Sequence, residues 1–245
     1  MATVQDENPF TGPIGREYEM LRLICPNAAP LAGKLADHLA TARPGALLMG
    51  FEIGCGTGVS TLPLLAKNAG LHLLAIDSSA KMLAQARENL GEWIDAGRVE
   101  FVEADALEAL RAQGDASFDV VASNYATHNF RDDYRSGVIA ETYRVLKPGG
   151  LFLNGDRFAL DDRAAHLALT QSMLRHWFKT FASISRHDLL EDWVVHLYSD
   201  ESPEHIMYFS PALTLLREVG FAPEVLYREG VDTLVAATKP APPPN

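Results

Sequence analysis

The sequence predicts a doubly wound α/β fold, in which a mostly parallel sheet is covered by helices. Short apolar runs, each the length of a buried strand, alternate along the chain with segments of helical spacing. Three glycines, Gly54, Gly56 and Gly58, separate the first apolar run from the helix that follows it. With 245 residues, 47% of them apolar, the chain suits one such domain with an insertion.

The glycine loop at residues 51–58 carries the strongest local signal. Glycine adopts positive φ without strain and lets a ligand approach bare backbone, and the following helix start offers unpaired N–H groups. The spacing G-x-G-x-G departs from the dinucleotide motif G-x-G-x-x-G. A P-loop would require a lysine directly after the last glycine, and here the first lysine is Lys67. Glu52 precedes the first glycine, and a carboxylate aimed into the loop favours a ligand with a cationic group over a pyrophosphate.

The later elements follow in the order that this fold requires. Residues 71–77 predict an apolar strand ending at Asp77, about 20 residues past the loop, where α/β nucleotide-binding proteins hold ribose hydroxyls. Ser78 and Ser79 then cap a helix whose apolar side chains share one face, namely Met82, Leu83, Ala86 and Leu90. The remaining predicted elements are a strand and its polar exit at 99–106, a fourth strand at 118–124, a turn at 144–150, a fifth strand at 151–154, a helix at 215–221 and two closing strands at 225–227 and 233–238.

Together these segments resemble the class I S-adenosylmethionine-dependent methyltransferases, whose first motif is E-x-G-x-G-x-G. The resemblance covers residues 45–156 and 210–239 and implies a Rossmann-like, mostly parallel seven-stranded sheet with a helical insert after the fifth strand. It implies S-adenosylmethionine as the cofactor, with an acid at the place of Asp105 near the adenine amino group. The implied cofactor-binding residues are Tyr18, Glu52, Gly54, Cys55, Gly56, Gly58, Asp77, Ser78, Met82, Asp105, Ala106, Ser123 and Asn124.

Two regions lie outside this common core and are expected to determine what is particular to the enzyme. Residues 1–44 form a helical layer in which leucines recur in steps of four (Leu31, Leu35 and Leu39), a spacing that predicts packing on the sheet. The alternative is a lid over the cofactor, with Tyr18 or Arg16 near its carboxylate or near the substrate. The methyltransferase domain is expected to span residues 45–239, and the proline-rich tail at 240–245 is expected to be disordered.

The second such region is the insert at about residues 157–210, which is rich in histidine and aromatic residues. Inserts at the carboxyl ends of parallel strands lie where open α/β sheets bind ligands, so this one is expected to shape an apolar pocket. Individual apolar residues of the insert are expected mostly to form the core contact of a long helix. They are Leu167, Leu169, Met173, Leu174, Trp177, Phe178 and Phe181.

The exit of the fourth strand, at residues 123–130, is the place to look for catalytic groups. His128 is the best candidate for a general base, because a neutral imidazole titrates near working pH; the alternative is a loop histidine that bonds backbone or caps the helix near Asp132. Asn124 and Tyr125 are expected to line the methyl-transfer channel. Asp156, with Arg157, either orients a substrate or forms a local ion pair. The catalytic candidates are therefore His128, Tyr125 and Asp156.

The sequence predicts no catalytic metal. The metal-dependent, catechol-type members of the family carry an acid after the fourth strand and an Asp-Asn pair after the fifth. Here the matching residues are 123–125 and 154–157, and they lack that carboxylate pattern. Histidine pairs spaced i, i+4 and His-Cys clusters are also absent from the sequence.

Composition narrows the choice of partners. The net charge of −11, without runs of lysine or arginine, makes a nucleic-acid substrate unlikely. Two cysteines predict no disulfide framework, and the absence of an apolar leader or of about 20 consecutive apolar residues predicts a cytoplasmic protein without a membrane span. The aromatic insert leaves a homodimer possible.

The expected function is methyl transfer from S-adenosylmethionine to an O, N or S atom of a small metabolite. One alternative is an RNA or protein methyltransferase. Another is an enzyme similar to carboxy-S-adenosylmethionine synthases, whose layout of an N-terminal segment, core and long insert this chain resembles; Arg157, Arg163 and Arg175 are then candidates for binding a carboxylate. A non-catalytic binding module is disfavoured by the intact Glu52 and Asp77, and an NAD-dependent oxidoreductase by the glycine spacing.

Overall fold

The computed structural model describes residue 23 and residues 25–241, except for the side chains of residues 188 and 189. The expectations for Tyr18 and Arg16, and for most of the tail at 240–245, therefore lie outside the described residues. Within the described part, no helix combines the length and the apolar character that a membrane span needs.

Seven strands form one sheet in the order β3-β2-β1-β4-β5-β7-β6, which confirms the predicted architecture. Strands β1 to β5 run parallel, and only β7 runs antiparallel to both of its neighbours. The strand order reverses between β1 and β4, so their carboxyl ends flank a crevice. The strands are β1 (Leu48–Ile53), β2 (Leu71–Asp77), β3 (Val99–Glu103), β4 (Phe118–Asn124), β5 (Leu146–Arg157), β6 (Ala222–Glu229) and β7 (Asp232–Thr238).

Helices cover both faces of the sheet. Because side chains alternate along a strand, neighbours in β4 enter different cores: Val120 and Ala122 pack into one core, and Val121 into the other. The predicted leucines at 31, 35 and 39 are buried in the first core. The helices are α1 (Ala28–Ala42), α2 (Thr61–Lys67), α3 (Ala80–Asn89), α4 (Gly91–Asp95), α5 (Ala106–Arg111), α6 (Asp132–Val145), α7 (Arg163–Ser183), α8 (His187–Asp200) and α9 (Phe209–Val219), with a 3₁₀ turn at Thr127–Asn129.

The fifth strand is longer than the sequence predicts. It begins at Leu146, which pairs with Phe118, and it contains the glycine turn that we expected to precede it. The pairing register shifts between Phe118 and Val120, and Gly149 has a φ of +79°. The predicted turn is therefore an irregularity within the strand, which glycine's freedom at positive φ permits.

The insert consists mainly of α7 and α8, which pack on each other around a third, smaller core. Trp177 and Phe181 of α7 meet Leu190 and Leu197 of α8 there. The prediction of core contact is wrong for Leu167, Leu169 and Phe178, which are 58%, 37% and 54% exposed. Each residue step turns a helix by about 100°, so Phe178 faces away from the side on which Trp177 is buried.

Candidate functional site

A cavity of about 680 Å³ opens at the carboxyl edge of the sheet, beside the reversal between β1 and β4. Open α/β sheets bind ligands at this place, because the loops on either side of the reversal diverge. The cavity brings together most of the residues predicted from sequence. These are Gly54, Cys55, Gly56, Asp77, Ser78, Met82, Asp105, Ala106, Asn124, Tyr125 and His128.

The three glycines of the loop all have positive φ, but for different physical reasons. A Cβ atom at Gly54 would lie 2.5 Å from Cβ of Ala126, and one at Gly58 would lie 2.4 Å from Leu90. A Cβ at Gly56 would meet no protein atom within 4 Å, although Gly56 lines the cavity. Gly54 and Gly58 therefore allow close packing, whereas Gly56 presents bare backbone to the cavity. Gly58 does not line it.

Asp77 fixes the shape of the loop from the end of β2. Its Oδ2 accepts a hydrogen bond from the backbone N–H of Gly56 at 2.9 Å, and its Oδ1 accepts one from the N–H of Ser79, also at 2.9 Å. A carboxylate can accept about four hydrogen bonds, so capacity remains for ligand hydroxyls on the cavity side.

Glu52 occupies a different place from the one expected. It is fully buried and lies behind the loop, where its carboxylate accepts hydrogen bonds from Ser60 Oγ at 2.5 Å and Thr61 Oγ1 at 2.6 Å. Burial raises the pKa of Glu52 to about 7, against the effect of these two hydrogen bonds. Glu52 thus joins β1 to the start of α2 and does not face the cavity. Ser123, also predicted at the cofactor, is likewise fully buried and lines no described cavity.

Asp105 caps α5 and binds a tyrosine that sequence reasoning missed. Its Oδ1 accepts from the N–H of Glu108 at 3.0 Å, and its Oδ2 accepts from Tyr134 Oη at 2.7 Å. Burial raises its pKa, but the hydrogen bonds together outweigh burial and hold the pKa of Asp105 below its usual value. Phe130 stacks edge-to-face on Tyr134 at 5.1 Å, and both line the cavity. Only their position shortly after the fourth strand could have indicated from the sequence that Phe130 and Tyr134 line the cavity.

His128 and Asp156 form a buried pair at the exits of β4 and β5. The Nδ1 atom of His128 lies 2.5 Å from Oδ1 of Asp156. The carboxylate also accepts from Thr127 Oγ1 at 2.6 Å and from the backbone N–H groups of His128 and Arg157, at 3.2 and 2.8 Å. Burial raises the pKa of Asp156, but the interaction with His128 and these hydrogen bonds prevail and lower it. Asp156 therefore stays ionised and accepts from Nδ1–H of His128, so that Nε2 is the acceptor whenever the imidazole is neutral.

A buried arginine holds the 3₁₀ turn that carries His128. The guanidinium of Arg135 donates to the carbonyl oxygens of Thr127 at 3.0 Å, His128 at 3.4 Å, Phe130 at 2.5 Å and His205. It also pairs with Asp132. This role could not be predicted from the sequence, because an arginine in the first turn of a helix has no distinguishing pattern.

Tyr125, the first residue after β4, has a strained backbone. Its φ is +53°, a region that non-glycine residues rarely adopt and that is often found at functional sites. Its hydroxyl donates to Asp232, whose other oxygen accepts from Asn27 Nδ2 at 2.6 Å. Burial and the neighbouring Asp232 raise the pKa of Tyr125, so the phenol keeps its proton.

A second cavity of about 320 Å³ lies between the exits of β4 and β5 and the insert. Its apolar wall comes from α7 and α8, including Met173 and Trp177, and its charged residues are Arg157, Asp200, Glu229 and Asp232. Five residues line both cavities. They are Cys25, Tyr125, His128, Trp193 and His196. Three of them, Cys25, Trp193 and His196, were not predicted as site residues.

Three potential metal ligands lie close together where the two cavities adjoin. They are His128, His196 and Asp200. One ligand atom from each lies within 4.8 Å of the others. Sequence reasoning found no pattern here because it searched for pairs of histidines. The signal present was a histidine and an aspartate spaced i, i+4 in the insert, at 196 and 200.

Comparison with known proteins gives one family model and a group of related sequences. Residues 51–150 match the family model described as a methyltransferase domain. The chain is 38% identical over 105 residues to a demethylmenaquinone methyltransferase of Leptospira interrogans, covering 43% of this chain and 41% of that protein. It is 31% identical over 131 residues to a carboxy-S-adenosyl-L-methionine synthase of Shewanella amazonensis, covering 53% and 51%. The chain thus spans about half the length of these curated relatives.

Solved structures resemble this chain in fold. An O-methyltransferase family protein from Burkholderia thailandensis superimposes with a TM-score of 0.66 at 18% identity, covering 93% of this chain and 60% of that one. At this level of identity the likeness concerns the fold alone. It agrees with the mixed seven-stranded sheet described above.

Proposed function

We propose that this chain, whose residues 51–150 match the model of a methyltransferase domain, is a class I S-adenosylmethionine-dependent methyltransferase and transfers a methyl group from S-adenosylmethionine to an O, N or S atom of a small molecule. The observation that carries the proposal is the meeting of two cavities at His128. One cavity is lined by the glycine loop and Asp77, the other by the aromatic insert.

The residues of the larger cavity fit S-adenosylmethionine. Gly56 presents bare backbone at a place where any side chain would occupy cavity space, and Asp77 has acceptor capacity for the ribose hydroxyls. Asp105 offers acceptor oxygens toward the adenine amino group, and Met82 and Ala106 supply apolar surface. The bound cofactor supplies a methyl group already made electrophilic by its sulfonium.

The protein's remaining tasks are to orient the acceptor and to take its proton. The acceptor lies in the second cavity, against the apolar wall formed by Met173 and Trp177. Nε2 of His128 receives the proton of the acceptor's N–H, O–H or S–H group, and the ionised Asp156 stabilises the resulting imidazolium. In the balanced reaction, the acceptor gains the methyl group and His128 the proton, while the sulfur keeps the electron pair of the broken S–C bond as S-adenosylhomocysteine.

Calorimetric titration with S-adenosylhomocysteine tests the cofactor half of this proposal. We expect binding to the full chain, and weakened binding in Asp77→Ala with an unchanged circular dichroism spectrum. Transfer of a labelled methyl group to a panel of small phenols, thiols and amines then tests the acceptor half. A chain that binds NAD but neither S-adenosylmethionine nor its product would overturn the proposal.

A second candidate is a reaction like that of carboxy-S-adenosylmethionine synthase. The relative from Shewanella amazonensis favours it, and so does the presence of a guanidinium, Arg157, in the second cavity. Arg163 and Arg175 line neither cavity. The charge of Arg157 is already offset, because its Nη2 lies 3.1 Å from Glu201 and its Nη1 lies 3.6 Å from Asp200. Tighter binding of carboxy-S-adenosylmethionine than of S-adenosylmethionine would favour this reaction over methyl transfer.

A further inference from the structure

The junction of the two cavities contains a set of three potential metal ligands, of which the proposed reaction uses only His128. The Oδ2 atom of Asp200 lies 3.9 Å from Nε2 of His128 and 3.6 Å from Nε2 of His196. His196 and Asp200 stand one turn apart on α8, so both side chains leave the same face of the helix. His128 faces them from the 3₁₀ turn after β4.

We propose that His128, His196 and Asp200 bind a divalent transition-metal ion, best matched by Zn²⁺, with an open coordination position toward the acceptor. Two imidazoles and one carboxylate, with a fourth position left for water or substrate, are a typical donor set of catalytic zinc sites. Metal–ligand bonds of about 2.0–2.2 Å in tetrahedral geometry place ligand atoms about 3.3–3.6 Å apart. The separations of 3.6 and 3.9 Å are close to this value, so small side-chain rotations complete the site.

The surroundings hold the two imidazoles in a metal-binding orientation. The carboxylate of Asp156 accepts from Nδ1 of His128, which turns the lone pair of Nε2 toward Asp200. Carboxylates placed behind metal-binding histidines commonly fix the tautomer and raise the basicity of the ligand. The ring of His196 stacks edge-to-face on Trp193, with centroids 5.5 Å apart.

Local charge favours a cation at this place. The second cavity is lined by three carboxylates, Asp200, Glu229 and Asp232, and by a single guanidinium, Arg157. The carboxylate of Asp156 lies directly behind His128. Glu201 contacts His166 at 2.8 Å and Arg157 at 3.1 Å. The positive charge of Arg157 is therefore divided between Glu201 and Asp200 and only partly neutralises Asp200. A divalent ion reduces the remaining excess of negative charge.

The part of this inference that concerns the acceptor rests on the proposed function. His128 and His196 line both cavities, so an ion between them is within reach of an acceptor atom placed for transfer. A hydroxyl or thiol bound to the ion loses its proton to solvent more readily, because the ion stabilises the anion. In the loaded protein, His128 is then a ligand and no longer the proton acceptor. The inference also revises our sequence-based expectation of no catalytic metal, which considered only spacing along the chain.

The test is calorimetric titration of ZnSO₄ into the full chain, produced without a polyhistidine tag and freed of metal by chelator. We expect one ion per chain, with affinity at least tenfold weaker in His196→Ala and in Asp200→Asn. His187→Ala, which changes an exposed histidine at the start of α8 that lines neither cavity, serves as the matched control and is expected to keep wild-type affinity. Visible absorption of the Co²⁺-substituted chain reports the coordination geometry, with strong bands expected for a four-coordinate site.

The same preparations are titrated with S-adenosylhomocysteine, which separates this inference from the proposed function. Retained binding of S-adenosylhomocysteine in Asp200→Asn, whose changed residue lines only the second cavity, shows that this variant is folded. No zinc binding to the wild type, or equal zinc affinity in the wild type and both ligand variants, overturns the metal site and leaves the proposed function standing. Zinc binding without binding of either cofactor form overturns the proposed function and leaves the metal site standing.

Discussion

The two cavities are built in different ways, although they share a wall. The larger cavity is shaped largely by backbone: Gly54 and Gly56 of the loop, the N–H groups bound by Asp77, and the ends of parallel strands. The smaller cavity is shaped by side chains of α7 and α8 together with the exits of β4 and β5 and the turn at residues 229–232. A backbone cradle fits one ligand and tolerates little change, whereas a side-chain wall can change with each substitution. In the proposed function, the cofactor therefore binds in the first region and the second region determines which acceptor is bound.

Replacing His128 tests the wall between the two regions and has the largest expected effect. Loss of a general acid or base typically slows the chemical step about 10²–10⁴-fold. We expect that loss in kcat for His128→Ala, with S-adenosylhomocysteine affinity within about threefold of the wild type. His72→Ala, an exposed histidine on β2, is the control. A kcat within threefold of the wild type would show that His128 is structural.

Replacing Glu52 tests whether this acid stabilises the fold, by joining β1 to the start of α2, or binds the ligand. Its pKa is about 7 in the fold and about 4.5 when unfolded, so its contribution to stability is complete below pH 4.5 and is lost as pH rises to 7. At about 1.4 kcal/mol per pKa unit, the loss amounts to about 3 kcal/mol. We expect urea unfolding at pH 5 and pH 8 to show this difference in the wild type and to lack it in Glu52→Gln.

Glu88→Gln, at an exposed position of α3, controls for the other carboxylates in this measurement. The framework role also predicts that Glu52→Gln keeps its affinity for S-adenosylhomocysteine at pH 8. A Glu52→Gln variant with the wild-type pH dependence, or with strongly weakened ligand binding, would return Glu52 to the ligand site.

Replacing Gly56 tests the backbone cradle. A valine side chain at this position projects into cavity space without meeting protein atoms, so we expect about 100-fold weaker binding of S-adenosylhomocysteine in Gly56→Val. Gly45→Val is the matched control, because Gly45 also has positive φ, at +66°, and also has no atom within 4 Å of its Cβ. Both variants carry the same backbone strain, and only one faces the cavity. Equal ligand affinity in the two variants would remove the loop from the site.

Replacing Met173 tests the side-chain wall and has the smallest expected effect. Removing part of an apolar contact changes acceptor binding by about tenfold. We expect that rise in KM for the acceptor in Met173→Ala, with unchanged affinity for S-adenosylhomocysteine. Phe178→Ala, on the exposed side of α7, is the control and should leave both values unchanged. A weakened S-adenosylhomocysteine affinity in Met173→Ala would contradict the division between the two regions.

The sequence predicted the first region well and the second poorly, for a physical reason. The strand at 118–124 and the position of Asp77 follow from local apolar runs, and the structure reproduces them. Glu52 lies in the predicted loop, but the direction of its side chain depends on Ser60 and Thr61, which only the folded chain brings to it. The meeting of His128 with residues of α8 joins segments about 70 residues apart, and no periodic pattern encodes such a contact.

Arg135 has a consequence for how the two regions unfold. Its guanidinium binds carbonyls of the turn at 127–130 and also that of His205, where the insert returns to the sheet. Opening either segment alone leaves a buried cation with lost hydrogen bonds, which is costly in a low-dielectric interior. The returning end of the insert and the turn that carries His128 therefore open as one cooperative unit. Their amide protons should exchange with solvent at matching rates, however freely the exposed turns of α7 exchange theirs.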